Sequence, residues 1–121
     1  MKKIQTGLSL LLVLITLFSG CTREIPLAEQ WVTYEIALTS GVKYVNAYTD
    51  IDVWAQFINS NEDTLIRPAF WDGGNNWKIR FSPPDAGSTW SWTTFSSPND
   101  KGLAGKKGSL TSVAYTGRNS L

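Results

Sequence analysis

The segment RFSPPDAGSTWSW, residues 80–92, decides the fold that this sequence predicts. A strand-like run ends at Phe81, the Pro-Pro-Asp-Ala-Gly segment at residues 83–87 breaks it, and the chain returns with Trp90 and Trp92 one residue apart. Proline cannot donate to a strand ladder and glycine accepts turn conformations, so residues 83–87 predict a corner between two strands. The residues that alternate with the two indoles are threonine and serine, which suit a solvent-facing side. We therefore expect both indoles to lie in the core rather than to form a platform for sugar rings.

Around this corner the sequence shows the two-residue alternation of half-buried β-strands. The segments WVTYEIAL, IDVWAQFI, TLIRPAFW and WKIRFS lead up to it, and DGGNN at residues 72–76 predicts a tight hairpin turn. SSPNDKGLAGKKG, residues 96–108, predicts a flexible loop before a last strand, SLTSVAY. Because about six strands follow one another with no helix between them, we expect an all-β fold, an immunoglobulin-like antiparallel β-sandwich. The predicted core positions are Val32, Tyr34, Ile36, Leu38, Ile51, Val53, Ala55, Phe57, Trp77, Ile79, Phe81, Trp90 and Trp92.

The first 21 residues have the layout of an export signal. Two lysines precede an apolar run that is too short to span a bilayer, and Ser19 and Gly20 stand directly before Cys21. The end of this segment, LFSGC, resembles a bacterial lipobox, which implies cleavage before Cys21 and acylation of that cysteine. Buried acyl chains contribute about 0.8 kcal/mol per methylene, so such a cysteine holds firmly in a membrane. The alternative is an ordinary secretory signal followed by a coincidental cysteine.

These features divide the chain into four parts. We expect a lipoprotein signal peptide at 1–20, a short tether at 21–30, the β-sandwich domain at 31–116 and a tail at 117–121 that is truncated before a catalytic domain or ends the chain. We expect the exported protein to be located in the cell envelope and lipid-anchored to a membrane. The outer membrane is the favoured one. Cys21 is the one cysteine of the sequence, so the exported domain has no internal disulfide and depends on burial for stability.

Charge and composition exclude several classes of function. The chain has 11 basic and 10 acidic residues, and removal of residues 1–20 leaves nine basic residues against ten acidic ones, a net charge of −1. No basic stripe interleaved with aromatics is present, so we expect no nucleic-acid partner. Histidine is absent, which removes the commonest general base and metal ligand. We expect no cofactor, no metal and no catalytic residue, and we interpret the acidic side chains as solvated surface groups.

Two segments resemble a known family. YTDIDVWAQF, residues 48–57, and FWDGGNNWKIRFSPPDAGSTWSW, residues 70–92, are similar to the N-terminal β-sandwich domain of unknown function that precedes the catalytic barrel of apiosidase-like glycoside hydrolases and of related bacterial lipoproteins associated with a collagen-binding domain. The resemblance implies an immunoglobulin-like sandwich packed against a (β/α)₈ barrel that carries the catalytic carboxylates. Leu121 is the last residue of the sequence and precedes any such barrel, so no catalytic residue is carried over.

Recognition surfaces are therefore the functional features left to predict. Strand alternation places Trp54 and Trp71 on polar faces, near Arg67 and Asp72, and exposed aromatic pairs often mark contact sites. Three interpretations stay open: these indoles contact a partner barrel, they stack on a glycan, or they belong to the core. The leading hypothesis is a non-catalytic accessory domain of a surface-anchored glycoside hydrolase-like lipoprotein, with the barrel or a polysaccharide as partner. The alternative is a stand-alone carbohydrate-binding surface lipoprotein.

Overall fold

A computed structural model describes residues 24–117 of the chain. Cys21, the predicted signal peptide and most of the predicted tail lie outside the described residues. Seven β-strands make up the regular secondary structure of the described part, which contains no helix. The strands are β1 (Leu27–Glu29), β2 (Tyr34–Thr39), β3 (Asp52–Asn59), β4 (Thr64–Trp71), β5 (Asn76–Phe81), β6 (Thr89–Ser97) and β7 (Lys107–Val113). The predicted all-β fold is confirmed.

The strands follow the order β1-β7-β6-β3-β4-β5-β2 and form the two layers of a sandwich. One layer contains β7, β6 and β3, and the other contains β5 and β2, with antiparallel pairing throughout these strands. In sequence order these are the G-F-C and E-B strands of an immunoglobulin-like domain. The short strand β1 differs, because it runs parallel to β7 at the edge of the first layer.

Strand β4 belongs to both layers. Its first half pairs with β3 as far as the contact between Trp54 and Pro68, and its second half, from Ala69, pairs with β5. Proline has no backbone N–H to give to a ladder, which favours a change of partner at that residue. The second half of β4 therefore leaves β3, and the gap between the two strands opens on one side of the sandwich.

The core lies between the two layers and is rich in aromatic side chains. Phe57 of β3 and Phe81 of β5 stack across it, with ring centroids 4.0 Å apart and planes within 6°. Trp90 meets Phe81 edge-on at 5.1 Å. Offset and edge-on aromatic pairs stabilise by about 0.5–1.5 kcal/mol beyond the area that they bury. The other buried apolar side chains are Ala28, Ile36, Leu38, Ala47, Ile51, Val53, Ala55, Trp77, Ile79, Leu103 and Leu110.

Most predicted core positions are buried, and the exceptions have local causes. Trp77 and Trp90 are buried as predicted, whereas Trp92 is half-buried and packs against the edge of the core. Val32 is exposed because the chain still forms a turn there, two residues before β2 begins. Tyr34, at the first position of β2, is half-buried.

Two segments differ from their predicted character. Strand β1 lies within residues 21–30, the predicted tether, and its pairing with β7 adds it to the sandwich. The segment 96–108, predicted as a flexible loop, instead contains two buried side chains, Asp100 and Leu103. Hydrogen bonds from the amides of Leu103 and Ala104 to the carbonyl of Asp100 form a compact turn there.

Candidate functional site

The gap between β3 and the second half of β4 forms an aromatic cleft of about 340 Å³. Its walls include Tyr48 from the connection between β2 and β3, Trp54 from β3, and Phe70 and Trp71 from β4. Trp77 of β5 lies at its base and is buried. The cleft results directly from the change of partner at Pro68, because continued pairing of β3 with β4 would close it.

Contacts at both ends fix the aromatic walls of the cleft. Tyr48 meets Trp71 edge-on, with ring centroids 5.5 Å apart and planes at 87°. The indole Nε1 of Trp71 donates to the carbonyl of Gly74 at 2.9 Å, which ties the ring to the β4–β5 hairpin. On the other wall, Trp54 stacks on Phe95 of β6 at 5.8 Å, with planes within 18°. The cleft therefore has rigid aromatic surfaces in two orientations.

Polar groups in the cleft are few, and the one charged side chain is acidic. Asp52, at the start of β3, lines the cleft and is exposed, and its carboxylate has no hydrogen-bond or ion-pair partner among residues 24–117. No lysine or arginine lines the cleft. On its other side Asp52 pairs with Ser97 of β6, so the edge of β3 that faces the cleft has no β4 partner at this position.

The structure brings together two of the four residues predicted as a contact site. Trp54 and Trp71 both line the cleft, although their side chains lie on opposite sides of the sheet. The assignment of Trp71 to a solvent-facing side was wrong, because Trp71 is half-buried and packs against the core, while its neighbour Phe70 points outward. Both indoles reach the same cleft because β4 leaves β3 after Pro68, which opens the gap between the two strands.

The other two predicted contact residues lie apart from the cleft. Asp72, in the β4–β5 hairpin, forms an ion pair with Lys78 at 3.0 Å, and Lys78 also contacts Glu35 at 3.4 Å. The hydrogen bond from Lys78 to Asp72 is the main cause of a raised pKa for Lys78. Arg67 is half-buried on the side of β4 that faces the core, and its Nη1 donates to the adjacent carbonyl of Ile66 at 3.0 Å. Neither residue lines the cleft.

An exposed apolar stripe crosses the outer face of the first layer beside the cleft. Trp54 pairs with Phe95 on one side and with Pro68 on the other, so the three side chains form a row across β6, β3 and β4. Phe70 and Ile66 extend the row along β4, and Ile66 is 59% exposed. The guanidinium of Arg80 lies over the ring of Phe70, 4.8 Å from its centroid. Contiguous apolar residues at a domain surface are candidates for an interaction surface.

The two most buried carboxylates among the described residues, Asp85 and Asp100, have structural roles. Asp85 lies in the corner at residues 83–87 and accepts hydrogen bonds from Ser88 at 2.5 Å, from Trp90 Nε1 at 3.0 Å and from Ser112 at 3.1 Å. Burial alone would raise the pKa of Asp85, but these hydrogen bonds outweigh it and hold the pKa below its ordinary value. Asp85 thus joins the β5–β6 corner to β7.

Asp100 ties together the other end of the sandwich. Its carboxylate accepts from Ser40 Oγ at 2.7 Å, Tyr44 Oη at 2.7 Å, and the amides of Gly41 at 3.0 Å and Gly102 at 2.9 Å. Burial opposes ionisation, but the four donors prevail and lower the pKa of Asp100 to about 2. A carboxylate held ionised by four protein donors is not poised to accept or deliver a proton near neutral pH.

The part of the chain that the structure describes offers little else for chemistry. Within residues 24–117 no three or more carboxylate, cysteine or histidine side chains cluster so that they could hold a metal ion. The same residues include no helix with the length and apolar character needed to cross a bilayer. The aromatic cleft and the adjacent stripe are therefore the candidate functional surfaces.

Sequence reasoning missed two residues of this site. Tyr48 lies in a connection that showed no strand alternation, and Asp52 was interpreted as one solvated carboxylate among ten. An aromatic residue followed closely by acidic residues in a turn, as in YTDID, was the available signal. Its meaning depends on the bend of β4, which lies about 20 residues further along the chain.

Comparison with known proteins agrees with this all-β fold. The chain is similar over residues 27–97 to the domain of unknown function DUF5060. It also resembles a crystal structure from Bacteroides vulgatus described as a "putative glycoside hydrolase", with 28% sequence identity and a TM-score of 0.62. That likeness covers 74% of this chain and 16% of the larger protein. No curated protein sequence matches the chain.

The fold and the comparisons define the class as a small all-β domain that resembles one part of a larger glycoside hydrolase-like protein. The match to the family extends over more than half of the chain. The protein belongs to the DUF5060 family.

Proposed function

We propose that this protein is a non-catalytic accessory domain that packs on or positions the catalytic barrel of a glycoside hydrolase-like lipoprotein. The observation that carries the proposal is the small share of the Bacteroides vulgatus protein, 16%, to which this β-sandwich corresponds. A domain that forms so small a part of a larger protein has the size of an accessory module rather than of a hydrolase.

The structural roles of the buried carboxylates support a non-catalytic role. Hydrolysis of a glycosidic bond requires two carboxyl groups across a cleft, about 5–9.5 Å apart. The aromatic cleft is lined by one carboxylate, Asp52, while Asp85 and Asp100 are engaged by protein donors elsewhere. The described residues therefore place no such pair in the cleft.

The apolar stripe is the surface through which we propose that the barrel is contacted. The row formed by Phe95, Trp54, Pro68, Phe70 and Ile66 runs across three strands, and residues 24–117 leave all five side chains at least partly exposed. Docking of another domain on this row would remove apolar area from water at about 25 cal/mol per Å². A rim of charge from Lys78, Arg80 and Glu35 borders it, as in other domain interfaces.

We further propose that the protein is exported and held at the cell envelope, in the outer membrane, by acyl chains on Cys21. The support for this part is the lipobox-like sequence LFSGC and the short apolar run before it. Such an anchor would place the domain, and any barrel beside it, at the membrane surface, where polymeric glycans are met.

The genomic sequence that follows codon 121, in all three frames, provides the first test, and we expect a barrel-coding segment there. The barrel, expressed together with the affinity-tagged full-length chain, should co-purify with it. Ile66→Glu introduces a charge into the stripe and should reduce the recovered barrel at least about tenfold, a loss typical of a disrupted interface centre.

Val45→Glu is the matched control, because Val45 is fully exposed in the connection between β2 and β3 and lies outside the stripe. It should leave co-purification unchanged. The proposal fails if no frame encodes a barrel, or if an expressed barrel is recovered equally with the wild-type chain and the Ile66→Glu variant.

A further inference from the structure

We propose that the aromatic cleft between β3 and β4 binds a neutral glycan, with a pyranose ring stacked against its indole and phenol walls. The cleft shares Trp54, Pro68 and Phe70 with the stripe, but glycan binding is a proposal distinct from the domain contact. The inference rests on the shape of the cleft, on the chemistry of its walls and on the sign of its charge.

The shape fits one or two sugar rings better than a protein segment. A volume of about 340 Å³ lies at the small end of the range for small-molecule sites, which is roughly 300–1,000 Å³. The cleft is bounded on one side by Trp54 and on the other by the perpendicular pair of Tyr48 and Trp71. Because the aromatic walls have two orientations, one wall can stack on the face of a sugar ring while the other contacts the edge of the same ring or of its neighbour.

Fixed rings reduce the entropy lost on binding. The indole of Trp71 is held by its hydrogen bond to Gly74, and Trp54 is held by its stack on Phe95. Tyr48, by contrast, is 76% exposed, which is unusual for a residue that has only a packing role. An exposed phenol beside two held indoles provides an apolar face together with a hydroxyl group that can donate or accept.

The polar groups of the cleft match sugar hydroxyls. The carboxylate of Asp52 has no protein partner within residues 24–117 and can accept two hydroxyl hydrogen bonds. The neighbouring edge of β3 is outside the β4 ladder, because pairing ends at Trp54 and Pro68. Apolar walls with a few polar groups at one side are the usual construction of a small-molecule site.

The charge of the cleft selects among glycans. The Asp52 carboxylate lines it and would repel an anionic ligand, while Arg80, which contacts the lining residue Phe70, is already paired with Glu35 at 3.1 Å. Uronate and sulfated polymers are therefore disfavoured. Neutral polysaccharides, whose rings present apolar C–H faces and uncharged hydroxyls, are the class that the cleft suits.

The test is affinity electrophoresis of the full-length chain in a mild non-ionic detergent. Native gels contain either no polymer, one of a panel of neutral polysaccharides (β-glucan, xylan, galactomannan and arabinan), or polygalacturonate. We expect retardation by at least one neutral polymer and none by polygalacturonate. Tyr48→Ala and Trp71→Ala should weaken that retardation about tenfold or more, as expected for loss of an aromatic anchor.

Trp31→Ala is the matched control, since Trp31 is 65% exposed and contacts Tyr115 rather than the cleft. It should retain full retardation. The Tyr48→Ala variant keeps the test valid if the Trp71→Ala variant misfolds. Its side chain is exposed, so its removal leaves the core intact.

Three results would overturn the inference: no retardation by any neutral polymer, equal retardation of the wild type and the Tyr48→Ala variant, or retardation by polygalacturonate alone. Each is independent of the barrel experiment. Co-purification of a barrel without retardation of the chain by a polysaccharide would reject the glycan site and leave the accessory role unaffected. Retardation without co-purification of a barrel would reject the accessory role alone.

Discussion

The network around Asp100 predicts an acid-sensitive element of stability. This buried carboxylate joins the segment that follows β2, through Ser40, Gly41 and Tyr44, to the connection between β6 and β7, through Gly102. It therefore links the two layers of the sandwich at one end. Its four donors are matched to the ionised form, so protonation removes the stronger, charge-assisted character of these bonds.

The pKa values give the size and the direction of the effect. The pKa of Asp100 is lowered from 3.8 to about 2 in the folded protein. A difference of this size corresponds to about 2 kcal/mol of folding stability. Since the folded-state pKa is depressed, this stability is fully present above pH 3.8 and is lost as the pH falls toward 2. About half of it should be gone near pH 3.

Urea unfolding of the full-length chain at several pH values between 7 and 2 measures the effect, with Asp100→Asn as the perturbation. The amide keeps one acceptor oxygen but presents an NH₂ group where Ser40 and Tyr44 donate. At pH 7 the variant should be less stable than the wild type by about 2–3 kcal/mol. The difference should narrow by about 2 kcal/mol as the pH approaches 2, because only the wild type has this carboxylate to protonate.

Asp52→Asn is the control, because its exposed carboxylate has no partner within the described residues. Its free energy of unfolding should differ from that of the wild type by no more than about 0.5 kcal/mol at pH 7. A constant difference between the wild type and Asp100→Asn from pH 7 to pH 2 would refute the reasoning. The hydrogen bonds of Asp100 would then not depend on its charge.

Three further predictions concern the corner, one close contact and the anchor. Trp90→Phe removes the indole donor to Asp85 and leaves a void beside the core, so the free energy of unfolding measured in urea should fall by about 2 kcal/mol. An unchanged unfolding midpoint would contradict the role of this hydrogen bond. Gly108→Ala places a Cβ where the indole of Trp92 lies, and thermal unfolding should show destabilisation of about 1–3 kcal/mol, whereas equal stability would mean that the indole moves aside freely. Cys21→Ser should shift the protein from the membrane fraction to the soluble periplasmic fraction of fractionated cells, and unchanged partitioning would reject the lipid anchor.

Strand alternation was sufficient to predict most of the core. Ile51, Val53, Ala55 and Phe57 occupy alternate positions of one segment and are all buried. The reason is physical, because successive side chains of a strand point to opposite faces and one face of each layer meets the other layer. The signal is local, so it can be read without knowledge of which strands are neighbours.

The same reasoning failed where a side chain depends on distant contacts. Segment 96–108 is rich in glycine, lysine and serine, yet Asp100 is buried because three of its four donors come from residues about 60 positions earlier. Strand β4 alternates without interruption, but apolar residues stand at both sets of positions, so alternation alone does not show that the set containing Trp71, rather than the set containing Phe70, faces the core. A single sequence does not specify either relation, since both arise from the pairing of strands remote in the chain.

The cleft and the stripe share Trp54, Pro68 and Phe70, so the two proposed partners would act on the same side chains. A barrel docked on the stripe would lie against one side of these rings, while a glycan in the cleft would contact the other. Trp54 is already held by its stack on Phe95, so Phe70 is the shared side chain that each partner would hold in place, and binding of one would lower the conformational entropy lost on binding the other. Glycan affinity should accordingly be higher in the complex with the barrel than in the free chain. A lower affinity would mean that the barrel covers the mouth of the cleft, and the two partners would compete for one surface.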